Sequence, residues 1–216
     1  MTEDAGPAEP PPRGLPAPAV LGLAYLAGAV PFSNLASRLV AGRDLRDVGT
    51  GTVSGTGLYE VAGFGPLAVA GVLEVASGAV GPRLAGRRRP ALAAFAGGAA
   101  VVGHNWSPFL AGAGGRGIAP ALGATLVQAW PGTVVLGSGL ALGRLAHQSA
   151  LGSFVGYLAL VPTLGVLRGR RGALAGAALV APLLAKRLLG NAPPRRPRPA
   201  HVWWNRLVYD REGFAP

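Results

Sequence analysis

The sequence contains no cysteine. Disulfides, thiolate nucleophiles and Cys-ligated metals are therefore excluded, and the redox compartment is left open. Charge is also scarce, at 13% of residues, against roughly 25% in an ordinary soluble domain. Lysine occurs once, so the net charge of +11 rests on nineteen arginines. Despite 35 glycines there is no strict Gly-X-Y period, which rules out a collagen-like chain. No G-x-x-x-x-G-K-[ST] loop, no carboxylate pair and no His/Asp/Glu metal set is found.

What the chain has instead is apolar residues, 50% of the total, in long runs almost free of charge. The solvent that matches such runs is lipid. They cover residues 15–40, 64–80, 90–102, 118–146, 149–167 and 172–189. Pro31 predicts a kink in the first, and Trp130-Pro131-Gly132 interrupts the fourth. Counting 118–146 as two short spans predicts an all-α integral membrane protein of about seven transmembrane helices with short Gly-rich loops. Counting it as one gives six.

Residues 1–19 are Pro-rich, with Glu3, Asp4 and Glu9. They lack the basic start of a secretory signal and are expected to form a disordered tail. Residues 20–190 form the membrane domain, and 191–216 a basic tail with five Arg, five Pro and the Trp203-Trp204 pair. Arginine and tryptophan at span ends suit anionic headgroups, so membrane lipids rather than nucleic acid are the expected partners. No protein partner is indicated. Placing the tail in the cytoplasm of a seven-span protein puts loops 41–63, 111–118 and 144–149 there too. Loops 81–89 and 168–171, with four and three Arg, then face outward, against the positive-inside rule.

Two polar segments interrupt the apolar pattern. The first runs from Asp44 through Arg46, Gly49, Thr50, Gly51, Thr52, Ser54 and Thr56 to Gly57. Glycine lets backbone N–H groups turn toward one point, and hydroxyls add donors, which is what an anion needs. The second is Gly103-His104-Asn105-Trp106-Ser107-Pro108-Phe109-Leu110, continuing to Gly114-Gly115-Arg116-Gly117. A Gly turn with one Arg in front of a helix is a phosphate site in outline. The alternative is that these small residues only let helices pack closely.

These segments resemble the PlsY family, integral membrane glycerol-3-phosphate acyltransferases that use acyl-phosphate. Residues 25–32, YLAGAVPF, are similar to the family's A-Y-L-x-G-S-I-P-F. Asp44 through Thr56 resembles D-L-R-x-x-G-S-G-N-x-G-A-T-N, and Gly103 through Gly117 resembles G-H-x-F-P-x-F-L-x-F-K-G-G-K-G. Ala185-Lys186-Arg187-Leu188-Leu189 resembles part of N-I-x-R-L. The resemblance extends from about 20 to 190 and is most specific in the second motif.

It implies seven helices, motifs gathered on the cytoplasmic face of a bacterial cell membrane, and no metal or cofactor. It also implies acyl transfer from acyl-phosphate to glycerol 3-phosphate, giving lysophosphatidic acid and phosphate. The matching positions nominate His104, Asn105 and Thr50 for catalysis. They nominate Arg46, Gly49, Gly51, Thr52, Thr56, Gly114, Gly115, Arg116, Gly117, Lys186 and Arg187 for phosphate binding. The proton of the glycerol hydroxyl could pass to His104 or to a substrate phosphate oxygen; His104 could equally be structural. His147 and His201 lie outside the motifs. Residues five past the three histidines are Phe109, Gly152 and Arg206, so the H-x-x-x-x-D pattern of other acyltransferases is missing.

Several positions depart from the pattern. The first motif's two Asn are Thr52 and Gly57, and an Arg just beyond it is Glu60. The second motif's first Lys is Ala113, its second is Arg116, and its following Thr is Pro120. Leu184 stands at the third motif's Asn. The family's D-x-x-K-G appears as Glu74 and Ser77. A second reading is therefore the same fold with catalysis lost, binding a phosphate or lipid ligand or regulating a partner. A transporter is a third.

Overall fold

Proline and glycine decide where the apolar runs stop being helical. The computed structural model describes residues 14–49, 51–191 and 200–210, and all their regular structure is helical. Helix α1, Ala17–Ala29, starts inside the stretch expected to be a tail; the rest of that tail, residues 1–13, lies outside the described residues. Pro31 lacks a backbone N–H and breaks the run, and α2, Phe32–Ala41, resumes beyond it. Then come α3 (Gly55–Ala62), α4 (Phe64–Ala85) and α5 (Pro90–Asn105). Helices α6 (Ile118–Gln128) and α7 (Trp130–Leu145) meet at Ala129, whose backbone (φ −161°, ψ 81°) is not helical. The interrupted run is therefore two helices.

Helix α8, Ser149–Leu189, breaks at Gly169 (φ 60°, ψ −152°) into two arms. The arms, 149–168 and 170–189, lie antiparallel, with Gly172 against Leu164 and Gly176 against Val161. These correspond to the last two runs expected from sequence. Within the basic tail the structure adds a short helix, α9, Ala200–Tyr209.

The packing is inverted relative to a soluble bundle. Buried positions are rich in alanine and glycine, whereas Leu26, Val69, Val72, Phe95 and Val166 are exposed. In lipid an outward Leu costs nothing, and helices associate through small residues that let backbones approach. Ala17–Ala41, Phe64–Ala85 and Ser149–Leu189 are long and apolar enough to cross a membrane. Helix α6, with 11 residues, reaches only about 16 Å.

Helices α1 and α5 approach closely in this way. A Cβ on Gly28 would fall on the backbone of Ala100, and one on Gly103 on the carbonyl of Tyr25. Neither neighbour is a side chain that can swing away. Gly28→Leu is expected to cost roughly 2 kcal/mol or more by overpacking. The measurement is the thermal unfolding midpoint in detergent against wild type.

The chain reverses at alternate ends of the bundle. At one end the α4–α5 turn meets the start of α1, where Arg89 Nη1 donates to Leu15 O at 2.7 Å. At the other end both Gly-rich segments, the α7–α8 turn and the end of α8 come together around one cavity.

Candidate functional site

The first Gly-rich segment is held down by its own apolar residues. Leu45, Val53 and Leu58 are buried with Ala70 and Leu110. Leu45 N donates to Asn34 Oδ1 at 2.7 Å, and Val53 N to Gly114 O at 3.3 Å. Asp44 accepts from Arg46 N at 2.9 Å and from Arg46 Nη2 at 2.8 Å, and pairs with Arg38. The Arg46 guanidinium, seconded by Arg38, holds the Asp44 carboxyl well below the usual range. Arg46 is thus committed to its neighbour.

The second segment begins where α5 ends. Ser107 Oγ donates to Ala29 O at 2.6 Å and Tyr25 Oη to Trp106 O at 3.3 Å, pinning the turn to α1. His104 and Asn105, adjacent in sequence, diverge here. His104 lines the cavity. Asn105 is fully buried, and its Nδ2 donates to Pro182 O at 2.9 Å, joining α5 to α8. Glycine is required next to them, because a Cβ on Gly114 would strike the Asn105 backbone and one on Gly115 the His104 imidazole.

Two backbone N–H groups of this loop are already used. Gly115 N donates to His104 O at 3.1 Å and Gly114 N to Asn191 Oδ1 at 3.2 Å. Gly117 adopts φ 73° and opens α6.

Asn191, which sequence reading did not single out, ties the segments together. Its Oδ1 also accepts from Lys186 Nζ at 2.6 Å, and its Nδ2 donates to Gly51 O at 3.0 Å and Gly114 O at 3.1 Å. Lys186 is fully buried, bonds to Asn105 O and lies 5.1 Å from the Trp106 ring centroid. The only local signal at Asn191 is an amide after Gly190, which ends α8. Losing one amide leaves several buried partners unpaired, at about 1–3 kcal/mol for such a group. Asn191→Ala is expected to lower the unfolding midpoint and to cut kcat/KM about 10-fold or more, read by thermal unfolding and steady-state kinetics.

The cavity has a volume of about 830 Å³. Its lining includes the polar residues Thr52, Thr56, Glu74, His104, Arg116 and Arg187 and the apolar residues Phe64, Leu67, Leu122 and Leu140. Arg116 Nη1 donates to Lys186 O at 3.1 Å, and its Nη2 pairs with Asp210 Oδ1 at 2.8 Å. Arg187 donates to Ala150 O at 2.7 Å and to Leu207 O at 2.8 Å, with its guanidinium 5.0 Å from the Tyr157 ring centroid. Glu74, costly in an apolar helix unless partnered, accepts from Ser33 Oγ at 2.6 Å and Ser33 N at 3.2 Å.

Of the residues nominated from sequence, Thr52, Thr56, His104, Arg116, Gly117 and Arg187 line this cavity. Arg46, Gly49, Gly51, Asn105, Gly114, Gly115 and Lys186 lie outside its lining, several of them directly behind it. Thr50 lies outside the described residues. Among the departures, Thr52 lines the cavity, Glu60 is exposed away from it, and Ala113 packs with the Leu45–Leu110 cluster. Glu74, Arg144, Tyr209 and Asp210 line it without having been nominated. Among the described residues, no three His, Asp or Glu side chains converge as a metal site would need.

Fold and site together define a multi-pass helical membrane protein with a cationic cavity at one end of its bundle. Residues 19–191 match the family model described as glycerol-3-phosphate acyltransferase, and the chain belongs to that family. It is 34% identical over 187 residues to a glycerol-3-phosphate acyltransferase of Synechococcus sp., covering 82% of this chain and 93% of that one. A glycerol-3-phosphate acyltransferase of Roseobacter denitrificans is 34% identical over 186 residues, covering 82% and 90%. The fold is similar to that of PlsY, an integral membrane glycerol 3-phosphate acyltransferase. For the crystal structure of its glycerol 3-phosphate form the TM-score is 0.72, with 23% identity over 79% of this chain and 88% of that one.

Proposed function

We propose that this protein transfers a fatty acyl group from acyl-phosphate to glycerol 3-phosphate, releasing lysophosphatidic acid and inorganic phosphate. The observation that supports this most is one cavity whose lining carries Arg116, Arg187 and His104 together with the apolar Phe64, Leu67, Leu122 and Leu140. Two phosphorylated substrates need cationic groups, and an acyl chain needs an apolar surface. A cavity of about 830 Å³ has room for both. The motif end of the bundle faces the cytoplasm of a bacterial cell membrane in this reading.

In the reaction the glycerol hydroxyl oxygen attacks the acyl carbonyl carbon. The bond from that carbon to the phosphate oxygen breaks, and phosphate leaves with the electron pair. Acyl-phosphate is an activated mixed anhydride, so no covalent enzyme intermediate is required. The work left to the protein is positioning and charge stabilisation. Arg116 and Arg187 hold the phosphates, Thr52 and Thr56 supply hydroxyls, and His104 takes the proton of the attacking hydroxyl. Two of the departing positions, Glu60 and Ala113, lie away from the cavity, which favours activity over a non-catalytic role.

The test is purified protein in detergent given palmitoyl-phosphate and labelled glycerol 3-phosphate. Labelled lysophosphatidic acid is expected. No product beside an active family member as control overturns the assignment.

A further inference from the structure

The family match ends at residue 191, yet the cavity does not. Tyr209 and Asp210, from the end of α9, also line it. Asp210 places a carboxylate oxygen 2.8 Å from Arg116 Nη2, and only 19% and 22% of the two side chains are exposed. A carboxylate on a guanidinium presents two anionic oxygens, the same geometry a phosphate offers. The guanidinium assigned above to substrate phosphate thus already has an anion from the same chain.

The segment carrying that anion is docked by reciprocal contacts. Arg187 Nη1 donates to Leu207 O at 2.8 Å and Val208 O at 3.1 Å, the last carbonyls of α9. Arg206 Nη1 donates to Leu188 O at 2.6 Å and Leu189 O at 3.3 Å, the last carbonyls of α8. Each helix end is capped by an arginine of the other, which also suits the negative end of each dipole. Two of the cavity's arginines, Arg116 and Arg187, are therefore engaged by α9 and the residue that follows it.

We propose that Asp210 is an internal anion that competes with the substrate phosphate for Arg116, so that α9 sets the affinity of the cavity for anionic substrates. This rests on the functional reading above. Binding a phosphate at Arg116 breaks the ion pair, and with it part of the contact that docks α9. Substrate affinity is accordingly lower than Arg116 and Arg187 alone would give.

The absence of cysteine makes a direct test available. Wild type and Asp210→Asn are compared in detergent for inorganic phosphate binding by calorimetry and for glycerol 3-phosphate KM. Val208→Cys, at a buried position of α9, is added to both as a probe of maleimide labelling rate. The expected result is a several-fold lower phosphate Kd and KM in Asp210→Asn. Labelling of Val208→Cys is expected to rise several-fold on adding phosphate, and to be already fast in the Asp210→Asn background. Equal Kd and KM in the two proteins overturn the competition and leave the acyltransferase reading intact. A raised KM in Asp210→Asn overturns it too, by making Asp210 an aid to Arg116. Absence of phosphate binding and turnover in both proteins overturns the functional reading as well.

Discussion

Arg116→Ala is expected to lower kcat/KM for glycerol 3-phosphate by at least about 100-fold, with the folded state retained. Its guanidinium lies between the second loop and the end of α8, donating to Lys186 O at 3.1 Å on one side. On the other it faces the cavity, where its anion partner sits. Removing one preorganised donor from a developing charge typically costs about 10²–10³ in rate. Much of that loss comes from leaving a phosphate oxygen desolvated without a partner. Arg116→Lys is expected to recover only part of it, because an ammonium keeps the charge but not the two-pronged geometry. Steady-state kinetics on the three proteins, with a thermal melt of each, checks this. Near-wild-type turnover in Arg116→Ala would remove Arg116 from the phosphate site.

The second large effect is at His104. As the base for the glycerol hydroxyl, its replacement by glutamine is expected to cut kcat about 100-fold, within the ~10²–10⁴ range for general-base catalysis. KM is expected to change little, since the phosphates are held elsewhere. The pH profile supplies the sign. A base works only when deprotonated, so the wild-type rate falls toward acid pH, and a glutamine side chain has no proton equilibrium to produce that fall. His104→Gln is thus expected to lose the acid limb of kcat. Should the limb persist with kcat within a few-fold of wild type, the proton goes instead to a substrate phosphate oxygen. The imidazole lies where a Cβ on Gly115 would strike it. Gly115→Ala displaces the same group and also presses on Val53 O, so a loss of kcat together with a lower unfolding midpoint is expected.

Much of the architecture was legible because it depends on local chemistry. A proline without a donor breaks a helix wherever it falls, and Pro31 does so between α1 and α2. The Arg-rich stretch 168–171 ends one apolar run and precedes another, and the chain reverses there at Gly169. The Trp-Pro-Gly interruption marks the join of α6 and α7. The two polar segments stood out because polar residues are sparse in this lipid-matched chain. They meet at one end of the bundle, around the cavity.

The direction of each side chain was not legible, and the reason is the solvent. In water a helix declares its buried face by an apolar stripe. Here the inward face is rich in alanine and glycine but also holds Leu160, Leu164 and Leu179, and the outward face is leucine and valine, so both are apolar and the period carries little information. That is why His104 and Asn105 looked equivalent, although one enters the cavity and the other bonds to Pro182 O. Lys186 and Arg187 present the same case. Lys186 is spent behind the loops on Asn191, while Arg187 reaches the cavity.

What the sequence by itself determined is the solvent, the helical class and the break points, because each follows from composition or local backbone chemistry; the residues it nominated for phosphate are candidates. Tertiary structure alone decided which of those residues share a cavity, that Asn191 joins three separate segments, and that Asp210 faces Arg116 across 94 positions of sequence. Those are long-range pairings between polar groups. They depend on where close-packed backbones bring loop ends together, and no local pattern encodes that.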